Sequence, residues 1–381
     1  MERIYLDHAA TSPMHPKVIE AVVNVMNSNF GNPSSIHSFG REARLLVDEA
    51  RDILAKSIGA KRNEIIFTSG GTEADNLALI GIAEAYKSNG KHIISTEIEH
   101  HAVLNTCKEL ENRGYEVTYL PVDETGKVSV DDLKKNLRDD TILVSVMFGN
   151  NEVGTLQPIK EIGKVLAEHH AVFHTDAVQA YGLEKINVNE AGIDLLSVSA
   201  HKINGPKGIG FLYIRDGIKL LPRIFGGEQE RKRRAGTENV ASIVGFKEAV
   251  IISQQEMHAR REKYREWKNV LIKKLQVEEI DFRINGSLEN AMPHVINISF
   301  PGTNVEAMLV NMDLSGIAVS SGSACTAGSV DPSHVLVAMF GKDSARIRNS
   351  IRFSFGLNNT TEQIEKAALE TAKIVKRMTN K

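Results

Sequence analysis

The chain reads as an α/β protein: a large domain with a mainly parallel sheet, plus a smaller α+β domain. Three features of the 381-residue sequence predict this. Short β-branched runs alternate with amphipathic stretches from about Ile65 to Ile214. A long, heavily charged helical pattern follows Thr237. Beyond it the pattern shifts to shorter strands and helices without strict alternation. Strand–helix alternation is the mark of parallel strands joined by covering helices. A chain of this length carries a soft prior of two domains and can bury a core without staples.

The elements follow in order. EIIFTS, KHIIST, EVTYLPV, TILVSVMF, AVFHTDA, DLLSVSA and GIGFLYI read as strands. EADNLALIGIAEAYKSNG and IKEIGKVLAEHH read as amphipathic helices between them. NVASIVGFKEAVIISQQEMHARREKYREWKNVLIKKL reads as a long helical stretch, with HARREKYREWK as a solvated face. PHVINISF, a helix around VEAMLVNM, IAVSS, the loop SSGSACTAGS, IRFSF and a last helix complete the smaller domain. The expected division is 14–256 for the large domain, and 1–13 with 257–381 for the small domain carrying the cysteine loop. There is no internal repeat and no low-complexity segment.

Composition narrows the function classes. Hydrophobic content of 42% and charged content of 25% are those of an ordinary soluble protein. A net charge of −2 gives no general attraction to nucleic acid or to an anionic membrane. No apolar run reaches the roughly 18 residues of a membrane span. The start, MERIYLDHAATSP, lacks the basic and apolar segments of a signal peptide, so the expectation is a cytoplasmic protein. Two cysteines make no disulfide scaffold and show no paired metal-ligand spacing. Cys107, in the periodic HAVLNTCKELENRG, reads as a small buried hydrophobe. Cys325 sits among small residues in an aperiodic loop where nothing bulky shields a sulfur, which reads as a thiol in use.

In parallel α/β sheets ligands bind beyond the carboxyl ends of the strands, so residues just after strands carry most information. In TSGGTEADNLAL a glycine pair turns the chain and Thr72 opens a helix. A helix N-terminus binds phosphate, although a glycine turn with a capping threonine explains the same letters. Asp176 ends a strand in FHTDAVQAYG, with Gln179 three residues on. It can pair with a protonated ring nitrogen, as pyridoxal phosphate asks of its enzyme, or cap the following segment. Lys202, in SVSAHKINGPKGIG, follows a strand behind Ser199 and His201. A lysine at the floor of a cleft can form a Schiff base, and burial lowers its pKa toward usefulness. The rival Lys207 lies in a glycine–proline turn. His100 again follows a strand, and its ring can stack on a flat cofactor and shuttle protons. Its neighbour His101 points to a different helix face and no third ligand is spaced nearby, which argues against a metal. Asn151 in GNNEVG suits a hydrogen bond to substrate or cofactor, or a plain turn. Arg352 in SIRFSFG offers a fork for a carboxylate, or a surface charge. The basic run of Arg231, Lys232, Arg233 and Arg234 has no basic balance elsewhere to make it a nucleic-acid patch.

Taken in order, these segments resemble the NifS/IscS-like cysteine desulfurases of the class V aminotransferase family, whose fold is type I of the pyridoxal-phosphate enzymes. The likeness runs the whole length, through YLDHAATSP, FGNPSSIHSFG, SGGTEADN, EHHAVL, NNEVGTLQPI, FHTDAVQAYG, SVSAHKINGPKGIG, GGEQERKRRAGTEN, SSGSACTAG and IRFSFG. The resemblance implies roles. Lys202 would carry pyridoxal 5'-phosphate, with Asp176 on its ring nitrogen, Gln179 on its ring hydroxyl and His100 over its ring. Gly71, Thr72, Ser199 and His201 would hold its phosphate, and Thr237 would reach in from the second subunit of a homodimer. Asn151 would touch cofactor and, with Arg352, the substrate carboxylate. Lys202, His100 and Cys325 would be catalytic, Cys325 as sulfur acceptor. The implied reaction converts L-cysteine to L-alanine. Its sulfur would pass as a Cys325 persulfide to an acceptor protein, an iron–sulfur scaffold or a tRNA-thiolating enzyme. No metal, direct nucleic-acid or membrane partner is implied. The cysteine loop matches the longer-loop group of the family. GGTEADN replaces the GGTES of many relatives, a change on the helix beyond the phosphate turn. Another enzyme of the same fold, a selenocysteine lyase or an aminotransferase, is the rival, and an aminotransferase gives no reason for the cysteine loop.

Overall fold

A computed structural model of the chain describes residues 3–322, 325–326, 329–330 and 332–380. All seven runs read as strands in the first half join one sheet. Its order is Ile65–Thr68, Gly210–Ile214, Leu195–Ser199, Val172–Asp176, Thr141–Ser145, His92–Thr96, Glu116–Leu120. Neighbours from Leu195–Ser199 to Glu116–Leu120 are parallel. Gly210–Ile214 runs antiparallel to both of its neighbours. The cause is the short link after Ser199, which holds one turn of 3-10 helix, Ala200–Ile203. A parallel return needs a crossover of about a dozen residues or more, so this strand comes straight back.

Six of the seven strands bury both faces, with alternate residues in different cores, and the edge strand Glu116–Leu120 is partly open to solvent. Leu196 and Val198 join Phe67, Phe173 and Phe246 on one side, where helices Pro16–Ser28 and Ser38–Ser57 contribute Val18 and Val47. Leu195 joins Ile66, Ala78 and Ile93 on the other, under helices Gly71–Tyr86 and His101–Asn112. Cys107 is fully buried in this second core, as a small hydrophobe would be.

A third core lies around the antiparallel strands Arg283–Asn285, Val295–Ser299 and Ser350–Ser354. The N-terminal Ile4 and Leu6 belong to it, and Ile4–Tyr5 pairs with Ile317–Ala318. One helix, Val240–Val277, serves two cores, with Phe246 in the first and Trp267 in the third. This corrects the reading of HARREKYREWK as wholly solvated. Tyr264 and Trp267, three apart on one face, are buried, while Glu262, Lys263, Arg265 and Glu266 stay outside. Among the described residues, no helix is long and apolar enough to cross a membrane.

Candidate active site

The carboxyl ends of the parallel strands open on a cleft of about 370 Å³. Lys202 enters it from the 3-10 turn that ends the Leu195–Ser199 strand, a turn closed by Asn204 in the left-handed conformation. Its Nζ donates to the carbonyl oxygens of Ala9 and Ala10, at 2.5 and 2.8 Å. Burial, reinforced by the charge of Arg352, pushes the amine down to about 8, against the pull of Asp176 and Asp7. A larger share of it is therefore neutral near neutral pH than of an ordinary lysine. Lys207 is exposed and lines a separate surface hollow.

Asp176 closes its strand at the cleft floor, where its Oδ1 accepts from the Val178 N–H at 2.9 Å. Burial holds its carboxyl above the usual range, with His100 and Lys202 opposing the shift. A cation placed beside it would return it to the anion. His100 caps the next helix, its Nδ1 accepting from the Ala102 N–H at 3.1 Å. That bond puts the proton of the neutral ring on Nε2, and burial lowers the pKa so that the ring stays neutral. Ligand atoms of Asp75, His100 and Asp176 lie within 4.8 Å of one another. Sequence spacing offered His100 no such carboxylates, because they come from different segments. Burial holds Asp75 well above the carboxylate range as well, and a neutral carboxyl is a poor ligand for a cation.

The first turn of helix Gly71–Tyr86 also faces the cleft, through Gly71 and Thr72. Its leading N–H groups have no intrahelical acceptor. Gly70 turns into it at φ 147°, and a Cβ on Gly71 would stand 2.7 Å from Val178, so glycine lets the turn pack this closely, and the free N–H groups at the cleft suit an anion. Ser199 and His201 line the same cleft. His201 Nδ1 bonds Thr11 Oγ1 at 3.0 Å, and burial pushes its ring down to about 4, so it is neutral near pH 7. An anion cradle, a floor carboxylate and a half-buried amine in one cleft fit a phosphorylated ring with a basic nitrogen and a carbonyl.

Arg352 reaches the cleft from strand Ser350–Ser354. Nη1 donates to the Asn151 carbonyl at 2.9 Å and Nη2 to Asp7 Oδ1 at 2.8 Å, while its buried Nε has no partner among the described residues. Nη1 and Nη2 each keep a second N–H, which is the fork a carboxylate needs. Asn151 lines the cleft, but its part in this bond is its backbone oxygen. Gln179 lines it too, with Nε2 on the Ala9 carbonyl at 2.8 Å and Oε1 near His294 Nε2 at 3.4 Å.

Ten of the twelve candidate residues therefore meet here. Thr237 does not line the cleft and is exposed. Cys325–Thr326 pairs with Ser329–Val330 as a two-residue ladder, and the Cys325 side chain lies outside the described residues. Several functional neighbours escaped sequence reasoning. Asp7, Ala9 and Ala10 hold Arg352 and Lys202, and the aperiodic YLDHAATSP run is the signal that could have marked them. Glu99 is fully buried and pushed up to about 8 by that burial. It accepts from Thr96 Oγ1 and the Met147 N–H, both at 2.8 Å, and so fixes the turn that carries His100. Glu152 and His334 line the cleft as well.

Comparison with known proteins adds a second line. Residues 4–367 match the sequence profile of the class V aminotransferases. The chain is 62% identical over 379 residues to the putative cysteine desulfurase IscS 1 of Bacillus subtilis (strain 168), covering 100% of both chains. It superposes on a solved NifS-like protein with a TM-score of 0.92 at 35% identity, over 99% of this chain and 100% of that one. It also superposes on SspA in complex with cysteine, with a TM-score of 0.81 at 37% identity, over 92% and 98% of the two chains.

Proposed function

The chain belongs to the class V aminotransferase family, and from that membership and the cleft we infer a pyridoxal-phosphate-dependent cysteine desulfurase. It converts L-cysteine to L-alanine and takes the sulfur onto an enzyme cysteine as a persulfide. One observation carries the reading: a lysine amine pushed down to about 8 shares a cleft with the buried Asp176 and the guanidinium of Arg352.

Bound in that cleft, the cofactor supplies an electron sink for the pair left on the substrate α-carbon. We assign the rest to this chain's residues. Lys202 would hold the cofactor covalently, and its amine, which burial keeps partly neutral, would take the substrate α-proton. Asp176, on the cleft floor, would hold the basic ring nitrogen and keep it protonated. His100 would offer the cofactor a flat neutral ring and an Nε2 proton for transfer. Gly71, Thr72, Ser199 and His201 would hold the phosphate, and Gln179 and Asn151 the polar ring substituents. Arg352, steadied by Asp7, orients the substrate carboxylate beside Asn151. The Cys325 thiolate attacks the substrate sulfur. The S–S bond forms as the C–S bond breaks, and the carbon left with the electron pair is protonated toward alanine.

The direct test is product analysis of the holoenzyme with L-cysteine and no keto acid. Alanine and an equal amount of sulfide, released by a reductant, are expected. Alanine that appears only when a keto acid is added would make the protein an aminotransferase.

We also propose a homodimer. Phe30, Ile36 and Phe225 are 82%, 91% and 80% exposed, more apolar surface than a solitary chain tends to leave bare. A second copy would cover it and bring Thr237 to its neighbour's phosphate. Light scattering is expected to give twice the 41.9 kDa chain mass, and a fully active monomer would contradict this. The distribution of the cores supports 14–256 as the large domain and 1–13 with 257–381 as the small one. A cytoplasmic location suits a thiol that must stay reduced between turnovers. The acceptor we propose is an iron–sulfur scaffold or a tRNA-thiolating enzyme, on the strength of the family resemblance.

A further inference from the structure

Glu152 sits in the Gly149–Gly154 turn between strands Thr141–Ser145 and Val172–Asp176. The turn is held firmly. Asn150 Oδ1 accepts from the N–H groups of Glu152 and Val153 at 2.9 and 3.0 Å, and its Nδ2 donates to the Ile98 carbonyl at 3.0 Å. Glu152 is 2% exposed, and a carboxylate so buried needs partners. Two of its contacts are far off in sequence. Its Oε2 accepts from Ser333 Oγ at 2.5 Å. The same oxygen lies against Gly322, where a Cβ would stand 2.7 Å away and where φ is +89°.

Gly322 and Ser333 bracket the segment that carries Cys325, and each is tied down again. The Gly322 N–H donates to Ser320 Oγ at 3.1 Å. Ser320 exchanges backbone bonds with Arg352 at 2.7 and 3.2 Å. Ser333 caps helix His334–Phe340, accepting from the Leu336 N–H at 3.1 Å. The Glu152 carboxylate therefore accepts a hydrogen bond from one end of that segment, at Ser333, and packs against the other, at Gly322, and Glu152 itself lines the cleft.

We propose that Glu152 is a positioning residue for sulfur transfer, fixing both ends of the Cys325 segment so that the thiol meets the substrate sulfur. This rests on Cys325 being the acceptor. Fixing the ends of a loop limits where its middle can go. A displacement of about 1 Å at a reacting atom costs on the order of 100-fold in rate.

The test compares wild type, Glu152→Ala, Glu152→Gln and Ser333→Ala as holoenzymes. One readout is cofactor absorbance before and after L-cysteine, which reports cofactor and substrate binding. The other is the single-turnover rate at which sulfur appears on the Cys325 peptide by mass spectrometry. Glu152→Ala is expected to leave the absorbance readout as in wild type and to slow sulfur transfer by about 100-fold. Glu152→Gln, whose amide oxygen still accepts from Ser333, is expected to recover most of that rate. Ser333→Ala is expected to slow transfer too, with little further loss when added to Glu152→Ala, as for two ends of one contact. Unchanged transfer in Glu152→Ala overturns the proposal, as does loss of both readouts together. A wild-type enzyme with no sulfur on Cys325 overturns instead the assignment beneath it.

Discussion

Lys202→Ala is expected to leave a folded protein that cannot hold its cofactor covalently and that desulfurates L-cysteine roughly 10⁴-fold more slowly. That is the upper end of what one positioned proton-transfer group contributes. The fold should survive, because among the described residues the amine hydrogen-bonds two backbone carbonyls at the cleft and belongs to no apolar core. Borohydride reduction of wild type followed by peptide mapping is expected to place the cofactor on Lys202, and label on Lys207 would overturn the assignment. Asp176→Asn makes the contrast. It should keep the covalent link yet slow exchange of the substrate α-proton by about 100-fold, because a neutral amide cannot hold the ring nitrogen protonated. Exchange near the wild-type rate would leave Asp176 as a turn residue that binds the Val178 N–H and nothing more.

Cys325→Ala is expected to separate binding from sulfur transfer. Neither cofactor attachment nor substrate binding uses that thiol, so absorbance before and after L-cysteine should match wild type. Alanine formation should fall by three orders of magnitude or about that, because no nucleophile remains to take the sulfur. Cys107→Ala should catalyse as wild type does. Its thiol is fully buried in the sheet's core, and burial pushes it up to about 12, far from the thiolate that attacks sulfur.

The sequence made the sheet legible because all its strands but the edge strand Glu116–Leu120 are buried on both faces and read as short apolar runs between helices. The direction of Gly210–Ile214 required one further step, the length of the link after Ser199. The burial of Tyr264 and Trp267 was hidden by the charges packed around them, which occupy the other faces of the same helix. Strand-end logic separated Lys202 from Lys207 and drew attention to His100 and Asp176, since local sequence sets which residues follow a strand. It was silent on Asp7, Asp75, Glu99 and Glu152. A lone acidic residue has no periodic signature, and its burial depends on segments far away in the chain. Thr237 was assigned through the family resemblance rather than through any local pattern, and in one chain it stands exposed, away from the cleft.

The central claim is that sulfur from free L-cysteine comes to rest on Cys325. Brief exposure of the holoenzyme to L-cysteine, an acid quench, and mass spectrometry of the digested protein test it most directly. The account predicts a mass increase of one sulfur atom on the Cys325 peptide, removable by reductant, absent from Lys202→Ala and present in Cys107→Ala. Sulfur on the Cys107 peptide, or normal alanine formation by Cys325→Ala, would contradict it.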